Sequence, residues 1–92
     1  MSSKQPHILI VDDSRSVVTI TEGVLRREGL QVSTAFDGVE GLEKAISLKP
    51  DLIILDIEMP KMNGYQVCKH LQEQASTAKI PVLMLTIRGQ LD

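Results

Sequence analysis

Three apolar runs in this chain end in side chains that carry oxygen. Ile8-Leu-Ile-Val11 runs into Asp12 and Asp13, Leu52-Ile-Ile-Leu55 runs into Asp56, and Val82-Leu-Met-Leu85 runs into Thr86. Three carboxylates brought together repel one another, and one would hold a proton unless a cation neutralises the group. An all-oxygen donor set suits a hard cation. Mg2+ fits best, because it needs few protein ligands and keeps waters and phosphate oxygens in its shell. A carboxylate beside such a cation can attack phosphorus and form an aspartyl phosphate. A threonine hydroxyl at a neighbouring strand end can donate a hydrogen bond to a phosphoryl oxygen.

Each of these residues also has a plainer reading. Asp12-Asp13 alone could cap a helix, and so could Asp56 after a buried strand. The segment that follows Asp56, Ile57-Glu-Met-Pro60-Lys-Met-Asn-Gly64, argues against that for Asp56. Glu58 and Arg88 read equally well as solvated charges. Their positions, each two residues beyond a strand-end site residue, also allow them to face each other across the mouth of the site. Cys68 fits a buried helix stripe. His7 and His70 have no clustered partners, so they are poor metal ligands. Met59, Met62 and Met84 read as packing or loop residues.

Positioning such groups requires a scaffold, and the chain spells one out. Short runs apolar at consecutive positions read as strands covered on both faces. After the first run, Asp13 or Ser14 can cap a helix whose stripe is Val17, Ile20, Val24 and Leu25, with Gly29 as its stop. Leu30 to Phe36 alternates loosely and reads as a second strand. Asp37 and Glu40 resemble a capping box for a second helix. That helix carries Val39, Leu42, Ala45 and Ile46 on one face and is weakened by Gly38 and Gly41. Lys49-Pro50-Asp51 breaks it. Asn63-Gly64 permits a sharp turn into a third helix with Val67, Cys68 and Leu71. Ser76 to Lys79 reads as a polar connection, and Pro81 opens the fourth strand. Alternating strands and helices imply right-handed crossovers and a parallel sheet. Ligands then sit beyond the carboxyl ends of the strands, where the strand order switches. Those ends carry Asp12, Asp13, Asp56 and Thr86.

Bulk properties narrow the function classes. Ninety-two residues amount to one small domain, 1–92, with no internal repeat or linker. A net charge of −2, with Arg26-Arg27 the only adjacent basic pair, gives no basic stripe for nucleic acid. No apolar run approaches a membrane span, and no Gly-rich phosphate loop supports nucleotide binding. The single Cys68 excludes an internal disulfide framework and fits a cytoplasmic setting. With one Tyr, one Phe and no Trp, aliphatic side chains must carry the core.

Taken in order and spacing, these motifs resemble the receiver domain of two-component response regulators, from Ile8 onward. The resemblance implies a flavodoxin-like α/β fold with sheet order 2-1-3-4-5, of which this sequence supplies 2-1-3-4. It implies that Asp56 is the phosphoacceptor and Asp13 a direct metal ligand. Asp12 would act through water, and the backbone carbonyl of Glu58 would be the third protein ligand for Mg2+. Thr86 would follow the phosphoryl group and trigger switching. The donor would be a histidine kinase or phosphotransfer protein, and catalysis would be limited to self-phosphorylation and dephosphorylation at Asp56.

Two departures from the family pattern stand out. No residue matches the fifth-strand Lys or the switch aromatic, and Lys61 gives no sign of substituting for that Lys. Ile87 stands where the family often has a small residue. Slow phosphorylation and weak switching are therefore expected. The fourth strand is expected to be an uncovered apolar edge, favouring self-association or a complementing polypeptide.

Two other functions compete. One is a receiver-derived structural or engineered fragment that oligomerises and no longer signals. The other is a Mg2+-dependent phosphatase of the haloacid-dehalogenase kind. That chemistry wants an Asp two residues after the nucleophile, where this chain has Glu58.

Overall fold

The computed structural model describes residues 5–85. Thr86, Ile87 and Arg88 lie outside the described residues, so the expectations placed on them, including a Glu58–Arg88 pairing, are not addressed by it. Seven elements alternate along the chain: β1 (His7–Val11), α1 (Arg15–Arg27), β2 (Gln31–Ala35), α2 (Gly38–Leu48), β3 (Leu52–Asp56), α3 (Gly64–Gln72) and β4 (Val82–Leu85). The four strands form one parallel sheet in the order β2-β1-β3-β4. This is the flavodoxin-like order expected from the sequence. The order reverses between β1, which leads into Asp12 and Asp13, and β3, which ends in Asp56.

Strand alternation sends side chains to opposite faces of the sheet. Leu9, Val11, Ile53 and Leu55 join Ala45 of α2 and Val67 and Leu71 of α3 in one apolar cluster. Ile8, Ile10, Val32 and Ile54 join Val18 of α1 in the other. Both faces of β1 and β3 are therefore covered, which is why those strands are apolar without alternation.

The helices bury narrower faces than their periodicity suggests. On α1 the buried residue is Val18, with Leu25 packed beside it, whereas Ile20 is 68% and Val24 51% exposed. On α2 the buried residues are Gly38, Gly41 and Ala45, and Val39 stands 54% exposed. The reason is distance. A Cβ on Gly41 would lie 2.8 Å from Val11 Cγ1, so α2 sits directly against β1 through its small residues. The glycines that cost helix propensity are the residues that permit the packing.

The helix ends are closed by side chains. Ser14, rather than Asp13, caps α1 by accepting from the Val17 N–H. Asp37 caps α2 by accepting from the Glu40 N–H at 2.7 Å, while the Glu40 carboxylate accepts from Phe36 N–H, one residue earlier than in a standard capping box. Asn63 and Gln66 form a complete capping box on α3. The polar connection before β4 is anchored by Thr77, which is buried at 1% exposure and donates its hydroxyl to the Leu71 carbonyl at 2.7 Å.

Candidate functional site

The register of the central strands brings the acidic residues together. Val11 pairs with Leu55, so the next residues, Asp12 and Asp56, stand side by side where β1 and β3 end. By alternation both lie on the face shared with Ile10 and Ile54. Asp13, where the chain leaves β1 for α1, completes the group. One carboxylate oxygen from each of Asp12, Asp13 and Asp56 lies within 4.8 Å of the others. Asp12 and Asp56 are partly buried and Asp13 is exposed, so the cluster opens to solvent.

Short-range hydrogen bonds orient these carboxylates. Asp12 Oδ1 accepts from Ser14 N–H at 2.9 Å, and the Asp12 N–H donates to the Ala35 carbonyl of β2. Ser14 thus holds Asp12 with its backbone and α1 with its hydroxyl. Asp56 Oδ1 accepts from Glu58 N–H at 3.3 Å, and the Ile57 N–H donates to the Leu85 carbonyl of β4. Glu58 is exposed, and its loop bounds a shallow hollow with Asp13, Met59 and Pro60.

The β3–α3 loop returns tightly to α3. Gly64 N–H donates to the Ile57 carbonyl at 2.9 Å, and a Cβ on Gly64 would lie 2.5 Å from the Asp56 carbonyl oxygen. Asn63 has φ −79°, and among the described glycines only Gly29 has a positive φ. The glycine at 64 is therefore required for close approach of backbone to backbone, and not for the left-handed turn that Asn-Gly suggests. The left-handed residue of this loop is Lys61, with φ 70°. Nothing in the sequence marks it. Ser14 was legible as a cap, but its backbone contact to Asp12 was not.

The chemistry of the donors fits a metal ion. The set contains only oxygen, two members come from rigid strand ends, and one is exposed so that waters can complete a shell. That is the environment a small hard cation uses. Asp12, Asp13 and Asp56 are the side chains that could hold it, with the Glu58 carbonyl on the same loop.

An open doubly wound sheet with an acidic cluster at its switch point defines an α/β domain whose ligand site lies beyond the carboxyl ends of its central strands. The comparison with known proteins is specific: residues 8–92 match the response regulator receiver domain. The chain belongs to that family, the receiver domains of two-component response regulators. It is 48% identical over 83 residues to the alkaline phosphatase synthesis transcriptional regulatory protein PhoP of Bacillus subtilis, covering 90% of this chain and 34% of that protein. It is 44% identical to the DNA-binding dual master transcriptional regulator RpaA of Synechocystis, covering 94% of this chain and 36% of that one. The chain thus spans about a third of the length of these curated relatives.

Among solved structures, the N-terminal domain of a response regulator receiver protein from Methanoculleus marisnigri superposes with TM-score 0.87 at 41% identity. That match covers 90% of this chain and 68% of the other. The receiver domain of a sensor histidine kinase from Pseudomonas aeruginosa superposes with TM-score 0.88 at 26% identity, over 96% of this chain and 72% of that one. That structure holds a magnesium ion coordinated in its active site cleft. Membership in the receiver family leaves no place for the haloacid-dehalogenase reading.

Proposed function

We propose that this chain accepts a phosphoryl group on Asp56 from a histidine kinase or phosphotransfer protein, with Mg2+ held by Asp12, Asp13, Asp56 and the backbone carbonyl of Glu58. The observation that carries the reading is the convergence of three carboxylates within 4.8 Å at the switch point of the sheet. The ion supplies charge neutralisation, so that an anionic carboxylate and an anionic phosphoryl group can meet.

In the transfer, an Asp56 carboxylate oxygen attacks phosphorus and forms the acyl phosphate P–O bond. The bond from phosphorus to the donor breaks, and the donor atom keeps the electron pair. For a phosphohistidine donor that atom is an imidazole nitrogen. No proton need leave Asp56, because the carboxylate attacks in its ionised form. Ser14 contributes by holding Asp12, and the Glu58 N–H holds one oxygen of Asp56. Thr86 is assigned the hydrogen bond to a phosphoryl oxygen and the switching role, on its place in the family motif. The output attached to the switch, and the setting in which it operates, belong to the whole protein.

A second element of the reading concerns partners. Among the described residues β4 pairs only with β3, and Leu83 and Leu85 are 49% and 43% exposed. We read this edge as a pairing surface, to be covered by a further strand of the whole protein, by a second copy or by a complementing polypeptide.

The function is tested by incubating the chain with Mg2+ and acetyl phosphate and weighing it intact. The expected result is a gain of one phosphoryl group that Asp56→Asn abolishes. An adduct that persists in Asp56→Asn would assign the chemistry elsewhere.

A further inference from the structure

Lys61 holds a backbone conformation that its side chain does not favour. Its φ is 70°, and across it the Met62 N–H donates to the Pro60 carbonyl at 2.7 Å. A three-residue turn closed in this way about a positive-φ centre is the rarer, strained form of the γ-turn. A residue with a Cβ stays there only where its surroundings over-determine it.

The surroundings are two methionines and a helix. Met59 is buried at 8% exposure in the larger core cluster, and Met62 packs partly buried against the same cluster. Behind Met62 lies α2. A Cβ on Gly38 would come within 3.0 Å of Met62 Cβ and 3.1 Å of the Met62 carbonyl oxygen, and within 2.9 Å of Val67 Cγ2. Downstream, the Asn63–Gln66 capping box and the Gly64 N–H fix the chain to α3 and to Ile57. Only Pro60 and Lys61 separate the two anchored methionines. Pro60 has its φ set by its ring, so the reversal falls on Lys61.

The same short loop begins at Asp56 and passes through Glu58. We propose that Lys61 and Gly38 are positioning residues for the site. The left-handed turn at Lys61 and the missing side chain at Gly38 together fix the β3–α3 loop, and through it the affinity for Mg2+. Neither residue supplies a ligand, and the charge of Lys61 plays no part. The inference rests on the Mg2+ assignment made above.

Calorimetric titration of the whole chain with Mg2+ tests it, at physiological ionic strength and with far-UV circular dichroism as the check on folding. Lys61→Gln keeps the turn and is expected to bind as the wild type does. Lys61→Gly is expected to keep the affinity and raise the thermal midpoint, because the turn is no longer strained. Lys61→Val, which cannot hold the positive φ, and Gly38→Ala, which pushes Met62 away, are each expected to lose about tenfold in affinity, the lower end for outer-shell changes at metal sites. Adding Lys61→Gly to Gly38→Ala is expected to recover affinity, since a glycine lets Met62 shift without moving Glu58.

Wild-type binding that Lys61→Val and Gly38→Ala leave unaltered overturns the inference alone. A loss in Lys61→Gln equal to that in Lys61→Val assigns the effect to the lysine side chain and also overturns it. A wild-type chain that binds no Mg2+ overturns the site assignment, and the inference with it. Should Lys61→Val not fold, Gly38→Ala and the midpoint of Lys61→Gly decide. An unaltered affinity in the first, or no rise in the second, counts against the proposal.

Discussion

The Ser14 N–H holds Asp12 and the Glu58 N–H holds Asp56, whereas Asp13 stands exposed, and this decides how substitutions there should behave. Asp13 sits at the exposed rim, outside β1, so its removal costs the fold little and the cation much. Asp13→Ala should abolish calorimetric Mg2+ binding while leaving the unfolding midpoint nearly unmoved. Unchanged Mg2+ affinity in that variant would contradict the assignment. Gly64 is the opposite case. An added Cβ would meet the Asp56 carbonyl oxygen at 2.5 Å and the Ile57 Cα at 2.9 Å, and neither backbone atom can swing away. Gly64→Ala should therefore destabilise by about 1–3 kcal/mol, the usual cost of overpacking, as measured by urea denaturation. Asp12, Asp13 and Asp56 were legible in the sequence because each follows an apolar run, and strand ends converge in a doubly wound sheet. The steric role of Gly64 was not legible, since Asn-Gly is also the signature of a left-handed turn and only coordinates separate the two.

At the scale of elements, strands were read more accurately than helix faces. A buried parallel strand announces itself by continuous apolar residues, and β1 and β3 do so. A helix face is read from large apolar residues, and that rule fails where the contact is made by small ones. α2 approaches β1 through Gly41 and Ala45, which left Val39 and Ile46 outside the buried set. The connection before β4 was likewise read as merely polar, yet Thr77 is buried and its hydroxyl donates to the Leu71 carbonyl. Thr77→Val keeps the shape and removes that donor, leaving the Leu71 carbonyl to the longer contact from the Gln74 N–H at 3.4 Å. A loss of about 0.5–1.5 kcal/mol, that of one hydrogen bond, is expected by denaturant titration. Lys49 closes α2 in the left-handed region, with φ 49°. Lys49→Gly removes the steric penalty and should stabilise the chain by about 1 kcal/mol. A lower denaturation midpoint in that variant would mean that the Lys49 side chain contributes something its exposure does not suggest.

At the scale of the whole sheet, the described residues cover its two faces unequally. One face carries α2 and α3. The other carries α1, which packs over β1 and β2, while Leu83 and Leu85 of β4 stand exposed together with Ile20 and Val24 of α1. No helix among the described residues is long and apolar enough to cross a membrane. The proposed association with another copy would cover this apolar edge. Light scattering over a concentration series should show mass rising with concentration, and Leu83→Lys with Leu85→Lys should suppress it. A wild-type monomer at high concentration would contradict this. None of that alters the central claim, which concerns a single carboxylate at the end of β3. The most direct test phosphorylates the chain with acetyl phosphate and Mg2+, reduces it with borohydride and maps the peptides. An acyl phosphate on Asp56 is reduced to homoserine, so the account predicts homoserine at position 56, at no other aspartate, and not at all when Mg2+ is chelated. Homoserine at position 12 or 13 instead, or none anywhere with Mg2+ present, would contradict it.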